Sequence, residues 1–508
     1  MFVSLSEAFT VTQEGNLDNF FLRFLGTEPF QESLDVCISE LSNLQVELYK
    51  MEQYQLARET LCKLHIIPAS SHQSSSLSNF PSTPQIAMRE QREDQVGPEF
   101  STTFPSPQPP EVTDPSVCSS EVLKVTILSD EWKSLKGGLS TFNRELAIHL
   151  ARHSQVQVTV VLSSECGEEE RTAAGKHGVT IVVAEKLRAC SPQEELFFPP
   201  KDLVIDAVIG HGVKLGRQAQ KIRESHKCKW VQVVHTAPAE LGMYKDYTKA
   251  VAQGEEKNKR EVSLCELADL VMAVGPKLKS FYSTRLRSCD KEQDVVEFTP
   301  GIMEDLTDVK QSPKENDVFQ VLMFGRGDDE DFKIKGYDIA AEAFASHDLK
   351  NDSYHLTFVG AAPGKQDEVA AKILKHGISK NQLSVEEYIE DRNLLKQLLR
   401  RMDLVIMPSR TEGFGLTALE ALSAGLPVLA GYNSGFSKAL QKVEFGEHYV
   451  VYSDKPQDWS KAIKSVRQKE REKRLNEMQR LRASYKQKYN WAEQCEILVR
   501  EMKKKVFC

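Results

Sequence analysis

Short apolar runs alternate with longer amphipathic stretches through most of the chain beyond residue 120. The first series of runs comprises Lys124–Leu128, Val156–Leu162, Val179–Val183, Leu203–Ile209, Trp230–Val234, Leu270–Val274 and Val295–Phe298. The second series comprises Val318–Phe324, Tyr354–Val359, Asp403–Met407, Pro427–Leu429 and Tyr449–Tyr452. Apolar strands separated by helices are typical of parallel sheets covered on both faces. The pattern predicts an α/β fold with two Rossmann-like, doubly wound parallel-sheet domains, because its length exceeds one such domain.

The remaining segments depart from this α/β pattern. Residues 1–67 carry apolar positions at helical spacing and predict a small helical segment. Residues 68–119 are rich in serine and proline and poor in large aliphatic side chains, so we interpret them as a disordered linker. We place the first Rossmann-like domain at 120–310, the second at 311–475, and charged C-terminal helices at 476–508.

Composition and charge narrow the possible classes of function. The net charge of −8 over 508 residues argues against a general nucleic-acid binder, which would present a basic face. The 10 cysteines contain no Cys-x-x-Cys pair, so they indicate reduced thiols rather than a zinc ribbon or a redox dithiol. No apolar run is long enough for a transmembrane segment, and the first residues lack a secretory signal. We therefore expect a cytoplasmic protein.

Gly137 and Gly138 form the first candidate site, at a predicted strand-to-helix turn. Paired glycines let a backbone approach a ligand, and the helix start offers N–H donors to an anion. For the glycine pair alone, an ordinary tight turn is the favoured interpretation. The helix that follows has a predicted apolar face made of Leu139, Phe142, Leu146 and Leu150.

Arg326 and Lys335 follow the predicted strand Val318–Phe324, at the end where α/β sheets bind ligands. An arginine and a lysine there can clamp a diphosphate and stabilise the charge that develops as it leaves. Four acidic residues, Asp328–Asp331, lie between them. Contiguous acids on a loop are more often a solvated turn, so we reject a metal site at this position.

The strongest signal is Ser409–Ala421, which follows a predicted buried strand and opens a helix. Gly413 and Gly415 permit close backbone approach, and the helix start favours phosphate. Glu412 lies in the loop, whereas Glu420 lies more than one turn into the helix. One carboxylate can therefore meet a sugar and the other a ribose, on opposite sides of a diphosphate.

Two histidines are further candidate site residues, and three common catalytic motifs are absent from the sequence. His211 and His235 each end a predicted strand, and the sequence alone does not rank them. No His-Glu-x-x-His, Gly-x-Ser-x-Gly or Walker A pattern is present, which disfavours a zinc hydrolase, a serine hydrolase and a P-loop NTPase.

Taken in order, these motifs resemble the retaining glycosyltransferases of family 4, whose GT-B fold consists of two Rossmann-like domains facing a cleft. The resemblance covers about residues 122–505. Its most specific part is the Glu-x7-Glu element from Glu412 to Glu420, with its Gly-Phe-Gly-Leu flank. Weaker matches are Phe324-Gly325-Arg326 with Lys335-Gly336, Lys136-Gly137-Gly138, Val234-His235-Thr236 and Thr299-Pro300-Gly301. The tail Tyr489-Asn490-Trp491 resembles the family's closing helix, which implies that the C-terminal helices cross back to the first domain.

The resemblance implies roles for these residues. Arg326 and Lys335 would hold the diphosphate, Glu412 the sugar and Glu420 the ribose, with His235 beside the reacting sugar. The residues implied to bind the donor are Gly137, Gly138, Arg326, Lys335, Glu412, Gly413, Phe414, Gly415, Leu416 and Glu420. The implied reaction transfers sugar from a UDP- or GDP-sugar to an unknown acceptor hydroxyl, retains anomeric configuration and uses no metal or other cofactor.

The sequence departs from the family's pattern at two places, and two other functions remain as alternatives to a glycosyltransferase. The acidic insertion before Lys335 is longer than in most of the family, so Lys333 could compete for its role. Residues 433–438 lack the acidic side chain usual there. The first alternative is a nucleotide-sugar-binding or scaffold protein without catalysis, which recruits a protein partner through residues 1–67. A GT-B epimerase or phosphorylase is the second, and the Glu-x7-Glu element disfavours the epimerase.

Overall fold

The structure is a computed structural model that describes five stretches of the chain: residues 121–133, 137–163, 166–245, 248–350 and 353–507. All of them belong to one compact unit, Thr113–Cys508. The expected helical segment at 1–67 and the expected linker at 68–119 lie outside the described residues. Within the described ranges, no helix combines the length and apolar character needed to cross a bilayer.

The first sheet has seven parallel strands in the described part of the chain, in the order β3-β2-β1-β4-β5-β6-β7. Its strands are β1 (Leu123–Ser129), β2 (Val156–Leu162), β3 (Val179–Val183), β4 (Ala207–His211), β5 (Lys229–Val234), β6 (Leu270–Val274) and β7 (Val295–Phe298). Its helices are α1 (Gly138–Ala151), α2 (Glu168–Gly175), α3 (Pro192–Glu195), α4 (Gly212–His226), α5 (Pro238–Gly242), α6 (Ala250–Leu267) and α7 (Pro276–Leu286).

The second sheet, as far as the described ranges extend, has six parallel strands in the order β10-β9-β8-β11-β12-β13. Its strands are β8 (Phe319–Phe324), β9 (Tyr354–Ala361), β10 (Leu383–Glu387), β11 (Leu404–Met407), β12 (Val428–Gly431) and β13 (Val450–Val451). The helices from this point on are α8 (Tyr337–Ala345), α9 (Gln366–Leu374), α10 (Arg392–Arg401), α11 (Leu416–Ser423), α12 (Gly435–Leu440), α13 (Pro456–Gln468), α14 (Arg471–Lys488) and α15 (Trp491–Phe507).

Inner strands are buried throughout because helices cover both faces of each sheet. Every residue of β4, β6, β11 and β12 is buried. Short 3₁₀ turns lie at Arg287–Cys289, Glu292–Asp294, Glu304–Leu306, Asp329–Asp331, Lys380–Gln382 and Gly446–Tyr449. The predicted fold class, two doubly wound parallel sheets, is confirmed.

Three details of the strand prediction are wrong. The edge strand β10 was not predicted, because Leu383–Glu387 is half polar and only partly buried. The predicted strand Tyr449–Tyr452 is shorter than expected, because Tyr449 is the last residue of a 3₁₀ turn and only Val450–Val451 pairs with β12. The strand predicted at Leu203–Ile209 begins at Ala207 and continues to His211.

The last helix returns to the first sheet. Trp491, at the start of α15, packs against Phe142 of α1 and Phe298 of β7, with ring centroids 6.3 and 5.7 Å apart. Its indole Nε1 donates to the carbonyl oxygen of Ile302 at 3.1 Å. The helix α15 therefore comes after the second sheet in the sequence but packs against the first sheet.

Candidate functional site

The loop Arg410–Gly415 follows β11 and carries Glu412 into the junction between the two sheets. Its backbone is fixed within the second sheet, because the Glu412 amide donates to the carbonyl oxygen of Asn433 at 3.1 Å. Only glycine fits at position 413, because a Cβ on Gly413 would overlap the carbonyl oxygen of His235. Gly415 has φ +102°, a conformation that favours glycine, and it precedes the first residue of α11.

Lys335 and Glu412 meet at the carboxyl ends of β8 and β11. The Lys335 Nζ lies 2.5 Å from the Glu412 Oε2, and the two side chains are 27% and 22% exposed. They line a narrow cavity together with Phe324, Met407 and Thr417. The charged pair can thus be reached from solvent, at the edge of the sheet where the helix α11 begins.

Arg326 extends from the end of β8 with its side chain 74% exposed, and its Nη2 donates to the Asp331 Oδ2 at 2.6 Å. The solvated turn predicted for the acidic run is correct for Asp328, Asp329 and Glu330, which are exposed. It is wrong for Asp331, which is buried and whose carboxylate accepts a hydrogen bond from Arg326. This insertion therefore supplies a counterion for the arginine.

Glu420 is held by an arginine that the sequence analysis missed. The Arg392 Nη1 donates to the Glu420 Oε1 at 2.6 Å, and the Arg392 Nε donates to the Asp305 Oδ2 at 2.8 Å. Although burial opposes its charge, the two carboxylates raise the pKa of Arg392. No local sequence signal marks this contact, because Asp305, Arg392 and Glu420 come from three separate parts of the chain.

His211 and His235, which the sequence left unranked, form one pair. The His211 Nδ1 lies 2.8 Å from the His235 Nε2, and Phe142 packs edge-on against both rings. Burial lowers the pKa of His235 to about 4, and burial next to His235 lowers the pKa of His211 well below its usual value. Both imidazoles are therefore neutral at pH 7, and His235 can act as a hydrogen-bonding group but not as a cation.

Gly137 and Gly138 bring the start of α1 to the start of α11. A Cβ at Gly138 would lie 3.2 Å from the Cδ1 of Leu416, so the two helix ends are in contact. Phe414 is buried beside Gly275 at the same junction. The predicted apolar face of α1 is wrong at Leu139, which is 40% exposed because it lies in the first turn, whereas Phe142, Leu146 and Leu150 are buried.

Lys277 is a further charged residue of the junction that the sequence analysis did not find. Its Nζ donates to the Thr411 Oγ1 at 2.8 Å and to the carbonyl oxygens of Glu412 and Asn433 at 3.2 and 3.0 Å. It also lies 2.8 Å from the Glu240 Oε2. A basic residue just past the end of a predicted strand was the available signal, since β6 ends three residues before it.

The structure thus brings the predicted residues Lys335, Glu412 and Gly415 together, with Arg326 at the end of the same strand that precedes Lys335. Lys333, the predicted competitor, is exposed and lines a different cavity with Lys372 and His376. Among the residues that the structure describes, no group of three or more His, Cys, Asp or Glu side chains could hold a metal ion.

Two parallel α/β sheets with candidate ligand residues at their junction define the GT-B class of fold. Sucrose-phosphate synthase from Thermosynechococcus elongatus superposes with a TM-score of 0.58 at 16% identity, covering 75% of this chain and 98% of the other. Anabaena HepE in complex with UDP and glucose gives a TM-score of 0.55 at 18% identity, covering 74% and 98%. These likenesses establish the fold.

The family follows from the sequence. A family model described as "GT4-conflict: Family 4 Glycosyltransferase in conflict systems" matches residues 126–498. The chain belongs to this family of glycosyltransferases, and the predicted resemblance to family 4 is confirmed.

Curated relatives match over shorter stretches. D-inositol 3-phosphate glycosyltransferase of Jonesia denitrificans is 32% identical over 133 residues, which are 25% of this chain and 30% of that protein. Lipopolysaccharide glucosyltransferase WaaG of Escherichia coli is 28% identical over 158 residues, which are 29% and 40% of the two chains. The matched part of this chain spans less than half the length of these relatives.

Proposed function

We propose that this protein transfers a sugar from a nucleotide diphosphate-sugar, a UDP- or GDP-sugar, to an acceptor hydroxyl. The observation that carries the proposal is the meeting of Lys335, Glu412 and the start of α11 at the carboxyl ends of β8 and β11. A lysine and free N–H groups at a helix start favour a diphosphate. A neighbouring carboxylate can accept hydrogen bonds from a sugar. The complexes of HepE with UDP and with UDP-glucose support the choice of donor class.

The charged side chains have defined roles in this proposal. Arg326 and Lys335 bind the diphosphate and stabilise the negative charge that develops on it, which replaces a metal ion. When a diphosphate binds the Lys335 ammonium, the Glu412 carboxylate can accept hydrogen bonds from the hydroxyls of the donor sugar. Glu420 binds the ribose, with Arg392 fixing one of its oxygens. Neutral His235 lies beside the sugar and offers a ring nitrogen for a hydrogen bond.

We propose that the transfer retains the anomeric configuration. The acceptor hydroxyl attacks the anomeric carbon from the face that the diphosphate leaves. The bond from this carbon to the phosphate oxygen breaks, and a bond to the acceptor oxygen forms. The acceptor proton passes to the departing phosphate oxygen, so the products are the glycoside and the nucleoside diphosphate. No step needs an oxidant, a reductant or a cofactor.

Release of nucleoside diphosphate from a panel of UDP- and GDP-sugars tests the proposal. We expect turnover with at least one donor, insensitive to EDTA, and a product that keeps the donor's anomeric configuration by NMR. Lys335→Met removes a charge that stabilises the leaving group, so turnover falls roughly 10²- to 10³-fold. The control is Lys333→Met, two residues away and exposed, which leaves turnover within about threefold of the wild type.

The outcomes separate the two candidate functions. No release from any donor, together with nucleotide binding by calorimetry, would replace the transferase by a binding protein. Equal rates for the Lys335→Met and Lys333→Met variants would remove Lys335 from the site.

A further inference from the structure

The junction between the two sheets contains a lysine whose contacts cross it. Lys277 lies in the first turn of α7, beside the first sheet, whereas Thr411, Glu412 and Asn433 follow strands of the second. The Lys277 Nζ donates to oxygens of all three. Its contact to Glu412 is to the main-chain carbonyl oxygen, so it fixes the backbone of that residue.

The ammonium group is buried together with its counterion. The side chains of Lys277 and Glu240 are 8% and 12% exposed, with 2.8 Å between Nζ and Oε2. The Thr411 hydroxyl accepts from Lys277 and donates to the same Glu240 oxygen at 2.8 Å. Burial lowers the pKa of Lys277, and Glu240 opposes this shift. A buried ammonium is stable only when its donors are satisfied, and oxygens from both sheets satisfy them here.

The Glu412 loop is therefore held from two sides. Lys277 binds the Glu412 carbonyl oxygen from the side of the first sheet, and Gly413 lies directly against the His235 backbone. Between these contacts the Glu412 carboxylate points to Lys335. The Lys277 hydrogen bonds go to the loop and to Asn433, and none of them goes to Arg326, Lys335 or Glu420.

We propose that Lys277 is a positioning residue that sets the location of the Glu412 carboxylate by binding its backbone across the junction. This inference rests on the proposed function only in assigning Glu412 to the donor sugar. A misplacement of about 1 Å at such a group costs up to roughly 10²-fold in rate. The binding of a nucleoside diphosphate alone depends on the other charged residues and does not require the Glu412 carboxylate.

The first test separates turnover from binding. In the full chain, Lys277→Met should lower kcat by about tenfold or more, whereas the Kd for UDP or GDP, whichever the wild type binds, stays within about threefold. Lys279→Met is the matched control, because Lys279 lies on the same helix and donates to the Val295 carbonyl oxygen of the first sheet. It should keep wild-type kcat. Equal kcat values for the two variants would overturn the inference.

A second variant removes the effect of an unpaired buried charge. Lys277→Met leaves the Glu240 carboxylate without its ammonium and lowers the melting temperature. The double variant Glu240→Gln with Lys277→Met removes both charges and should recover most of the melting temperature but not kcat. Recovery of kcat together with the melting temperature would show a purely structural lysine and would overturn the inference.

Amide hydrogen exchange tests the positioning role of Lys277 without a measurement of turnover. Lys277→Met should accelerate amide exchange in residues 410–416 and 432–436, because both segments lose a hydrogen bond to Nζ, whereas Lys279→Met should not. Unchanged exchange in these segments would refute the positioning role. A wild type without turnover would refute the proposed function, and this exchange measurement would still decide the role of Lys277.

Discussion

At the scale of single residues, Glu261 shows how burial sets a protonation state. Its side chain is buried in α6, and burial raises its pKa from 4.5 to about 7, a shift that the charge of Lys257 partly opposes. The Tyr282 hydroxyl donates to the carbonyl oxygen of Thr236 at 3.0 Å. A protonated Glu261 can donate to that hydroxyl in turn. The chain of hydrogen bonds is therefore complete when the carboxyl group is neutral.

Glu261→Gln should stabilise the protein at high pH more than at low pH. The pKa of Glu261 is higher in the folded state than in the unfolded state, so its contribution to stability is full below pH 4.5 and is lost as the pH rises through about 7. Glutamine keeps a donor for Tyr282 and carries no charge. The measurement is the free energy of unfolding of Glu261→Gln minus that of the wild type, from urea titration. We expect this difference to be about 2 kcal/mol larger at pH 8 than at pH 5.

Glu266→Gln is the control for this titration, because Glu266 is exposed on the same helix. It should change unfolding free energy by less than about 0.5 kcal/mol at either pH. The buried histidines take up protons only when the protein unfolds in this pH range, and this contribution is common to wild type and variants, so it cancels in the difference. A Glu261→Gln effect that does not depend on pH would contradict the raised pKa.

Single residues also show where the sequence stops being informative about the candidate site. Lys335 and Glu412 were predicted, because each follows a recognisable strand and precedes a helix. Lys277 and Arg392 were not, because their partners are up to 156 residues away and only the fold shows which loops meet. Asp331 looked like one more exposed acid of a run, because nothing in the local sequence distinguishes this buried carboxylate from its exposed neighbours.

At the scale of elements, the loop before α11 requires glycine at two positions, Gly413 and Gly415, for different physical reasons. Gly415 supplies a positive φ at the helix start, which local sequence already indicates. Gly413 has no such backbone conformation, but a Cβ there would overlap the main chain of His235. A backbone oxygen cannot rotate away as a side chain can, so a larger residue must push the loop and the first sheet apart.

Gly413→Ala should therefore act on the junction rather than on the loop's own conformation. We expect kcat for sugar transfer to fall by about tenfold or more, because the Glu412 carboxylate moves with the loop. Gly167→Ala is the control, since a Cβ at Gly167 meets nothing within 4 Å. It should leave both kcat and the urea midpoint unchanged. Wild-type kcat in Gly413→Ala would show that the contact with His235 yields without displacing Glu412.

Elements also differ in how far their sequence predicts them. The central strand β6 consists of apolar residues alone, so its existence follows from hydrophobicity. The edge strand β10 has polar residues at three of its five positions and was missed. The strand predicted at Tyr449–Tyr452 was too long, because Tyr449 still belongs to a 3₁₀ turn and only two residues pair with β12.

At the scale of the whole molecule, the alternation of strands and helices predicted both parallel sheets but not how they meet. The meeting surface is made by the Glu412 loop, by Lys277 and by the segment around Pro300, whose carbonyl oxygen accepts from the Tyr485 hydroxyl at 2.9 Å. Such contacts join positions far apart in the chain, and no periodicity in the sequence encodes them. The helix α15 adds to them by packing on α1 and β7.

Trp491 carries much of this packing, so its removal should weaken the whole molecule. Its ring stacks on His149 with centroids 4.7 Å apart, contacts Phe142 and Phe298, and is 4% exposed. Trp491→Ala leaves a cavity at the end of the first sheet and should lower the free energy of unfolding by about 3 to 5 kcal/mol in urea titration of the full chain.

Trp491→Phe separates the ring from its hydrogen bond. Phenylalanine keeps most of the apolar contact and loses the bond to the Ile302 carbonyl oxygen, so the expected loss is smaller, about 1 to 3 kcal/mol. Leu267→Ala, at a side chain that is 50% exposed, should cost less than about 0.5 kcal/mol. If Trp491→Ala cost no more than Leu267→Ala, α15 would contribute little to the stability of the first sheet. A two-step urea transition in Trp491→Ala alone would instead show that this helix couples the unfolding of the two sheets.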